Sequence, residues 1–266
     1  MQTLPIYQFD AFAETPMTGN PAAVVPLTTW LDDATLLAIA AENNLSETAF
    51  VSGGEGQYQL RWFTPTVEVD LCGHATLASA AAIFRFIELA RDRLVFATRS
   101  GELVVDRQGD VLQMDFPLQP SQPCTDELPL LRSFGTTPSE VLLGPDLMLI
   151  FDDAYTVTQL RPDFLTLMQL PGRGVICTAP GEDCDFVSRF FAPKIGINED
   201  PVTGSAHCQM TPYWAARLGK KILNARQVSA RGGVIECELA GERVLLRGRA
   251  SLFLKGEIYI GDAVID

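Results

Sequence analysis

A nine-residue pattern that recurs after nearly half the chain constrains the fold more than any other feature of the sequence. RWFTPTVEV begins at Arg61 and RFFAPKIGI begins at Arg189, an offset of 128 (189 − 61) in 266 residues. Both read Arg, aromatic, Phe, x, Pro, x, β-branched, x, β-branched. The match resumes after a three-residue shift, where Gly73-His74-Ala75 corresponds to Gly204-Ser205-Ala206. A match of this kind predicts two halves of one ancestral unit and therefore two similar domains.

The composition is that of a globular protein, with 47% hydrophobic and 20% charged residues and a net charge of −13. So acidic a chain is repelled by phosphate backbones and by anionic lipid, which argues against nucleic acid or a membrane surface as a partner. The first residues, MQTLPIYQFD, lack the basic region of a signal peptide, and no apolar run approaches the roughly 18 residues of a membrane span. The six cysteines form no C-x-x-C pair. We therefore expect reduced thiols and a cytoplasmic protein.

Short β-like runs alternate with a few helices along the chain, without a long β-α-β rhythm, and this predicts an α+β fold. Helices are predicted from Leu31 through LDDATLLAIAAENN, from about His74 through LASAAAIFRFIELA, over residues 161–170, and from about Ser205 to Leu218. The proline-rich stretch PLQPSQPCTDELP, from Pro117, is the best candidate for a linker. The predicted domains are residues 1–117 and 118–266, with the last strand packing back toward the first domain.

Each half has a glycine-containing turn that leads into a helix, at Gly73 and at Gly204. A helix N-terminus presents unpaired N–H groups and a partial positive charge, which suit an anion such as a carboxylate. Either turn alone is most simply an ordinary helix start. Because the two turns occur in register with the repeat, we predict that they face each other across a cleft. This cleft would bind a small carboxylate-bearing metabolite.

Four motifs are spread over the chain: MTGNPAAVV (17–25), NLSETAFV (44–51), DLCGHATLA (70–78) and EDPVTGSAH (199–207). Together they resemble the motifs of the PhzF-like phenazine-biosynthesis isomerase family, within the diaminopimelate-epimerase-like fold. The resemblance implies two pseudo-symmetric domains, each a curved sheet or barrel around a central helix. It also implies an active site in the interdomain cleft that needs no cofactor, and commonly a homodimer.

Carried over residue by residue, the resemblance makes Glu47 of SETAF the acid and base that transfers the proton. The polar groups that it places around the substrate are His74, Asp200 and Ser205, and the glycines that let the backbone approach the substrate are Gly73 and Gly204. In well-characterised relatives a proton moves between carbon atoms of a dihydro-hydroxyanthranilate. Many relatives have no assigned substrate, so the resemblance implies the reaction type and leaves the substrate open.

Glu47 has no matching carboxylate in the second half, because the residue 128 positions further on is Val175. A lone base can remove a proton from one carbon and return it to another on the same face, which is isomerisation. Inversion at one carbon generally needs a second acid on the opposite face. We therefore predict an isomerase. The alternatives are a two-base epimerase or racemase of an amino-acid-like substrate, and a non-catalytic metabolite-binding protein on the same scaffold.

Cys72 occupies the first of two positions at which the epimerase relatives use a pair of thiols. Its counterpart in the second half is Asp200, Val202 or Thr203, depending on how the repeat is aligned, and none of these is a cysteine. A thiol pair needs both members. Cys72 is therefore predicted to be a packed residue of the first helical turn.

The only two histidines, His74 and His207, lie close in sequence to cysteines. The spacings Cys72-x-His74 and His207-Cys208 do not fit a structural zinc pattern, so we predict no metal site. His74 is expected to donate a hydrogen bond to the substrate or to pair with Asp200. His207 is expected to be an ordinary residue of the first helical turn.

Overall fold

The computed structural model describes residues 2–124 and 134–261. Contacts between Cα atoms group the chain into two compact units. The first unit contains the residues up to Met114 together with those from Gly248 onward, and the second contains Asp115–Arg247. Within the described residues, no helix is long and apolar enough to cross a membrane.

The first unit is mainly β-structure around one buried helix. Its elements before residue 118 are β1 (Gln2–Ala11), β2 (Asn20–Leu27), α1 (Asp33–Asn43), β3 (Glu47–Gly54), β4 (Gln57–Phe63), β5 (Glu68–Val69), α2 (Gly73–Phe86), β6 (Arg93–Thr98), β7 (Gly101–Gln108) and β8 (Val111–Pro117). Helix α2 is rich in alanine, and its residues from His74 to Phe84 are all buried. A helix that is apolar on every side belongs inside a core, so the strands pack around α2.

The second unit has a similar mixture of strands and helices. Its elements are β9 (Gln122–Pro123), β10 (Glu140–Leu143), β11 (Leu147–Ile150), α3 (Ala154–Gln159), α4 (Phe164–Leu167), β12 (Val175–Pro180), β13 (Phe186–Ala192), β14 (Ile197–Asp200), α5 (Gly204–Leu218), β15 (Ile222–Gln227), β16 (Gly233–Ala240) and β17 (Arg243–Gly248). The last described strand, β18 (Ala250–Ile260), belongs to the first unit and pairs antiparallel with β1 along its whole length.

The repeat in the sequence is also a repeat in strand pairing. In the first unit β2 and β3 are parallel, β3 and β4 are antiparallel, and β4 pairs in parallel with β6 and antiparallel with β5. In the second unit the same pattern joins β11 to β12, β12 to β13, and β13 to β15 and β14. The repeated arginines form matching ion pairs, Arg61 with Glu68 and Arg189 with Glu199. The two units are therefore built on one plan.

Helices α1, α2 and α5 begin within two residues of their predicted starts, whereas α2 ends at Phe86, before its predicted end at Ala90. Asp32 caps α1 by accepting a hydrogen bond from the backbone N–H of Thr35 at 2.9 Å, and the chain leaves the helix at Asn44 in the left-handed conformation. Helices α2 and α5 begin at Gly73 and Gly204, each one residue before the predicted start.

The prediction was wrong for the chain between β11 and β12. The helix predicted over residues 161–170 is only the single turn α4, because Pro162 and Pro171 flank it and remove backbone donors. Helix α3 was not predicted, since its sequence AYTVTQ is rich in β-branched residues. The side chain of Asp153 starts this helix by accepting the backbone N–H of Thr156 at 2.7 Å.

The predicted linker from Pro117 is described only as far as Cys124, and its remainder lies outside the described residues. The described part contains β9, which pairs with β10. The predicted domain boundary after residue 117 stays a prediction.

Candidate active site

Glu47 and His74 lie together inside the first unit. Glu47 is the first residue of β3, and His74 is the second residue of α2. Both side chains are buried, and Glu47 Oε2 lies 3.1 Å from His74 Nε2. No described residue makes a well-aligned hydrogen bond to Oε2. The pair is thus close enough for a strong electrostatic interaction while one carboxylate oxygen keeps its acceptor capacity.

Two further residues surround the ring of His74, so that Asn20, Glu47, Cys72 and His74 form what we call the Glu47 cluster. Asn20, the first residue of β2, brings its Nδ2 to 3.2 Å from His74 Nδ1. Cys72 Sγ lies 3.5 Å from Nδ1 and 4.0 Å from Nε2, and therefore next to the ring. Because β2 and β3 are parallel neighbours, with Ala22 opposite Glu47, their starts deliver Asn20 and Glu47 to the same end of α2.

The environment of this cluster changes the charge state of two of its members. Burial disfavours the imidazolium, yet the neighbouring Cys72 and Glu47 raise the pKa of His74 well above its usual value. Burial and the charge of Glu47 raise the pKa of the Cys72 thiol to about 11. Glu47 thus favours both the cationic form of the His74 imidazole and the un-ionised form of the Cys72 thiol.

Asp200 lies in the second unit, where it is the last residue of β14 and is buried. Thr203 Oγ1 donates a hydrogen bond to Asp200 Oδ2 at 2.5 Å. The side chain of Gln227 closes the same turn: its Nε2 donates to the Asp200 carbonyl at 2.7 Å, and its Oε1 accepts from the Thr203 N–H at 2.9 Å. Three contacts thus fix the turn between β14 and α5, together with the ring of Pro201.

Ser205 contacts an ion pair in the second unit whose carboxylate is buried and whose guanidinium is exposed, and we call Asp146, Arg173 and Ser205 the Arg173 cluster. The Arg173 guanidinium donates to both carboxylate oxygens of Asp146, at 3.1 and 2.8 Å, and to Ser205 Oγ at 2.8 Å. Asp146 is fully buried and also accepts the Gly174 N–H. The side chain of Gln209 bonds to both backbone groups of Asp146. The Arg173 guanidinium that contacts Ser205 is therefore also paired with a buried anion, the Asp146 carboxylate.

The helix starts can be compared position by position, because α2 and α5 begin 131 residues apart (204 − 73). Cys72 and Thr203 are the residues directly before the two helices, which aligns Cys72 with Thr203. His74 corresponds to Ser205, and Glu47 corresponds to Val175, the first residue of β12.

Thr76 corresponds to His207, and the two side chains make the same local contact. Each bonds to the backbone carbonyl four residues earlier, at 2.7 Å. Burial lowers the pKa of His207 to about 4. His207 therefore serves the helix start as a neutral structural residue.

Sequence reasoning missed Asn20, Arg173 and Gln227. Asn20 stands inside the motif MTGNPAAVV, so its motif was noticed while its contact was not. Arg173 lies two residues before the counterpart of Glu47, and a search around that position would have found it. The spacing argument about metals considered only histidines and cysteines and overlooked Glu47. Among the described residues, Glu47, Cys72 and His74 form a group whose ligand atoms all lie within 4.8 Å of one another.

Known proteins with this architecture are two-domain α+β proteins, which confirms the predicted fold class. A solved structure from Enterococcus faecalis, titled as a phenazine biosynthesis protein of the PhzF family, superposes with a TM-score of 0.95 at 48% identity, over 97% of this chain and all of that one. A hydroxyproline epimerase from Agrobacterium vitis, at 11% identity, shares the fold with a TM-score of 0.62, over 98% of this chain and 94% of that one.

The family model described as phenazine biosynthesis-like protein matches residues 9–256. An uncharacterized isomerase of Pseudomonas aeruginosa is 55% identical over 257 residues, 97% of this chain and 99% of its own length. The chain belongs to the phenazine biosynthesis-like protein family, and the resemblance seen in the four motifs is confirmed.

Proposed function

We propose that this protein is an isomerase that moves a carbon-bound proton within a small carboxylate-bearing substrate, with Glu47 as its single acid and base. The observation that carries the proposal is the buried Glu47 Oε2, which lies 3.1 Å from His74 Nε2 and accepts no hydrogen bond from the described residues. A general base needs a lone pair that other groups leave available. The isomerase names of family relatives from two bacterial species support the same reaction class.

In the proposed step, the Glu47 carboxylate removes a proton from a substrate carbon, and the electron pair left behind delocalises into the conjugated system. Glu47, now a neutral acid, exchanges its proton with solvent or delivers it directly to a second carbon, so no external oxidant or cofactor takes part. His74, whose cationic form Glu47 favours, lies 3.1 Å from this carboxylate and can stabilise its negative charge before and after the transfer. Val175 at the matching position of the second unit supports a single base on one face.

The second unit is proposed to hold the substrate. We propose that the helix starts at Gly73 and Gly204 both contribute to the substrate-binding site. Ser205 and Asp200 would orient the substrate there. Arg173 Nη1 makes no hydrogen bond to any described residue, so it is available for a carboxylate of the substrate.

The surroundings of Gly204 are consistent with a substrate that approaches its backbone closely. A Cβ built on Gly204 would meet only Leu246 within 4 Å, at an ordinary contact distance of 3.6 Å. The interior of the second unit therefore has room for an alanine at this position. The glycine is explained by the proposed approach of the substrate to the backbone. We also propose, from the family resemblance, that the protein is a homodimer and, from its six free cysteines, that it acts in the cytoplasm.

A racemase mechanism with two thiols is not supported by the residue at either of the two thiol positions. The residue that corresponds to Cys72 is Thr203, and the pKa of Cys72 is raised to about 11, away from the range of an activated thiolate.

Glu47→Gln tests the proposal. Wild-type protein is incubated in D2O with a panel of small unsaturated carboxylic acids, and deuterium incorporation is followed by mass spectrometry. On any acid that exchanges, the variant should be slower by about 10²–10⁴-fold, the usual contribution of a positioned acid and base. Glu42→Gln, at an exposed glutamate of α1, is the matched control and should exchange at the wild-type rate. Undiminished exchange in Glu47→Gln would rule out Glu47 as the base.

A further inference from the structure

The Glu47 cluster brings together three different kinds of metal-binding atom inside one unit. Glu47 offers a carboxylate oxygen, Cys72 a sulfur and His74 an imidazole nitrogen, all within 4.8 Å of one another. We propose that these three residues form a binding site for a thiophilic divalent cation such as Zn²⁺. A site with three protein ligands leaves a fourth position for water, whereas a structural zinc site has four protein ligands.

The spacing of the three atoms is close to what such an ion needs. With metal–ligand distances of about 2.0–2.3 Å, the donors of a tetrahedral site lie roughly 3.3–3.8 Å apart. In this structure Nε2 of His74 is 3.1 Å from Oε2 of Glu47 and 4.0 Å from Sγ of Cys72. Compared with the tetrahedral range, the Nε2–Oε2 separation is slightly short and the Nε2–Sγ separation is slightly long. A shift of the Cys72 sulfur toward Nε2 is needed to bring the three donors onto one tetrahedral ion.

Two features of the surroundings favour an ion at this position. Oε2 of Glu47 is buried and accepts no hydrogen bond from the described residues, so its lone pairs are available to a ligand. Asn20 lies 3.2 Å from the other ring nitrogen of His74. With its amide turned so that the oxygen faces Nδ1, Asn20 would accept the Nδ1 proton and leave Nε2 to the metal. A partner that fixes the tautomer of a histidine ligand is a regular feature of metal sites.

An ion held there would displace the thiol proton of Cys72, and any proton on Nε2 of His74, to solvent, and would occupy the carboxylate that we propose as the base. Binding of the ion does not depend on the proposed function, whereas inhibition by the ion rests on it. The cation would act as a reversible inhibitor that competes with proton transfer at Glu47, and a chelator should restore activity.

The binding experiment needs no substrate. Full-length protein is reduced, treated with chelator and desalted, and then titrated with Co²⁺ while the near-ultraviolet charge-transfer absorption of a cobalt–thiolate bond is followed. Zn²⁺ affinity is measured by competition with a chromophoric chelator. The wild-type protein should bind one equivalent with a cobalt–thiolate band, and Zn²⁺ should displace the cobalt.

Single substitutions separate this site from adventitious binding. Cys72→Ala should abolish the band. Glu47→Gln should keep the band and weaken Zn²⁺ binding, and Asn20→Ala should weaken it about 10-fold, the lower range for loss of a supporting contact. Cys184→Ser is the matched control, because Cys184 lies between Asp183 and Asp185 and is the alternative thiol beside carboxylates. This control should bind as the wild type does.

Three outcomes would overturn the site: no cobalt–thiolate band in the wild-type protein, wild-type Zn²⁺ affinity in Cys72→Ala, or loss of the band in Cys184→Ser. Circular dichroism of each variant distinguishes loss of a ligand from loss of the fold. If Zn²⁺ binds as described and deuterium exchange proceeds unchanged in its presence, the metal site is supported. The proposed role of Glu47 as acid and base is then contradicted.

Discussion

The two units place a polar cluster at the same point of the same strand plan, but the clusters carry different chemistry. Each cluster joins residues at or just before the starts of two parallel strands to the second residue of a helix: Asn20, Glu47 and His74 in the first unit, and Asp146, Arg173 and Ser205 in the second. The first presents a carboxylate with an available oxygen. The second presents a guanidinium backed by a buried carboxylate. The two units thus have a polar cluster at the same position of the strand plan, while the groups at that position differ.

The difference also extends to how firmly each unit holds its repeated arginine. Arg189 is buried and bonds to both oxygens of Glu199 through Nε and Nη2. Its Nη1 reaches the backbone carbonyls of Val157, Thr158 and Leu160. Arg61 makes the same pair with Glu68, but it is more exposed, and Glu68 has Arg99 as a second partner at 2.7 Å.

The largest expected effect is a difference between Arg189→Ala and Arg61→Ala. We expect Arg189→Ala to lower the free energy of unfolding by about 3 kcal/mol, because three carbonyls and a carboxylate lose their partner. Arg61→Ala should cost about 1 kcal/mol, since Glu68 keeps Arg99. Urea unfolding, with hydrogen exchange to assign each transition to its unit, measures both. Equal costs would show that the two ion pairs are energetically equivalent despite their surroundings.

The second prediction replaces His207 with the residue at the matching position of the first unit, Thr76. Burial lowers the pKa of His207 to about 4, whereas an unfolded histidine titrates near 6.5. Between these values the unfolded chain binds a proton that the folded chain does not, so stability falls as the pH is lowered. From pH 7 to pH 5 this loss amounts to about 2 kcal/mol.

His207→Thr should remove this loss, because threonine does not titrate and keeps the bond to the carbonyl four residues earlier. The measurement is the free energy of unfolding of the wild-type protein and of the variant at both pH values. His74 contributes with the opposite sign, since its raised pKa means that its stabilisation is lost as the pH rises. His74 is present in both proteins, so its contribution cancels in the comparison. A variant that still loses as much stability as the wild type would contradict the assignment.

The smallest expected effect on stability is that of Ser205→Ala. Arg173 keeps both bonds to Asp146 in this variant, so we expect the free energy of unfolding to fall by only about 0.5–1 kcal/mol. If Ser205 orients the substrate, deuterium exchange should slow far more than this small loss of stability can explain. Unchanged exchange would assign Ser205 to the structure of the Arg173 cluster alone.

Sequence predicted the parts of this molecule that depend on local signals. The helix starts at Gly73 and Gly204 were placed within one residue, because turn, helix and repeat all agree there. Long-range contacts could not be obtained in this way. Asn20 meets His74 across 54 residues, and Arg173 meets Ser205 across 32, through parallel strand pairs whose register no local pattern encodes. Helix α3 was missed because the Asp153 cap and tertiary packing outweigh its β-branched sequence.

The pairing of β1 with β18 has a consequence for the order in which the protein can be assembled. Gln2 faces Ile260 in this pair, so β1 leaves the ribosome long before its partner exists. The second unit is continuous from Asp115 to Arg247, and all of its strands have been synthesised before β18 emerges. The first unit, although it is begun first, is the last to receive its full set of strands. During synthesis one edge of β1 therefore lacks this partner. An unpaired edge can pair with a strand of another chain, so β1 is open to such pairing until β18 is made.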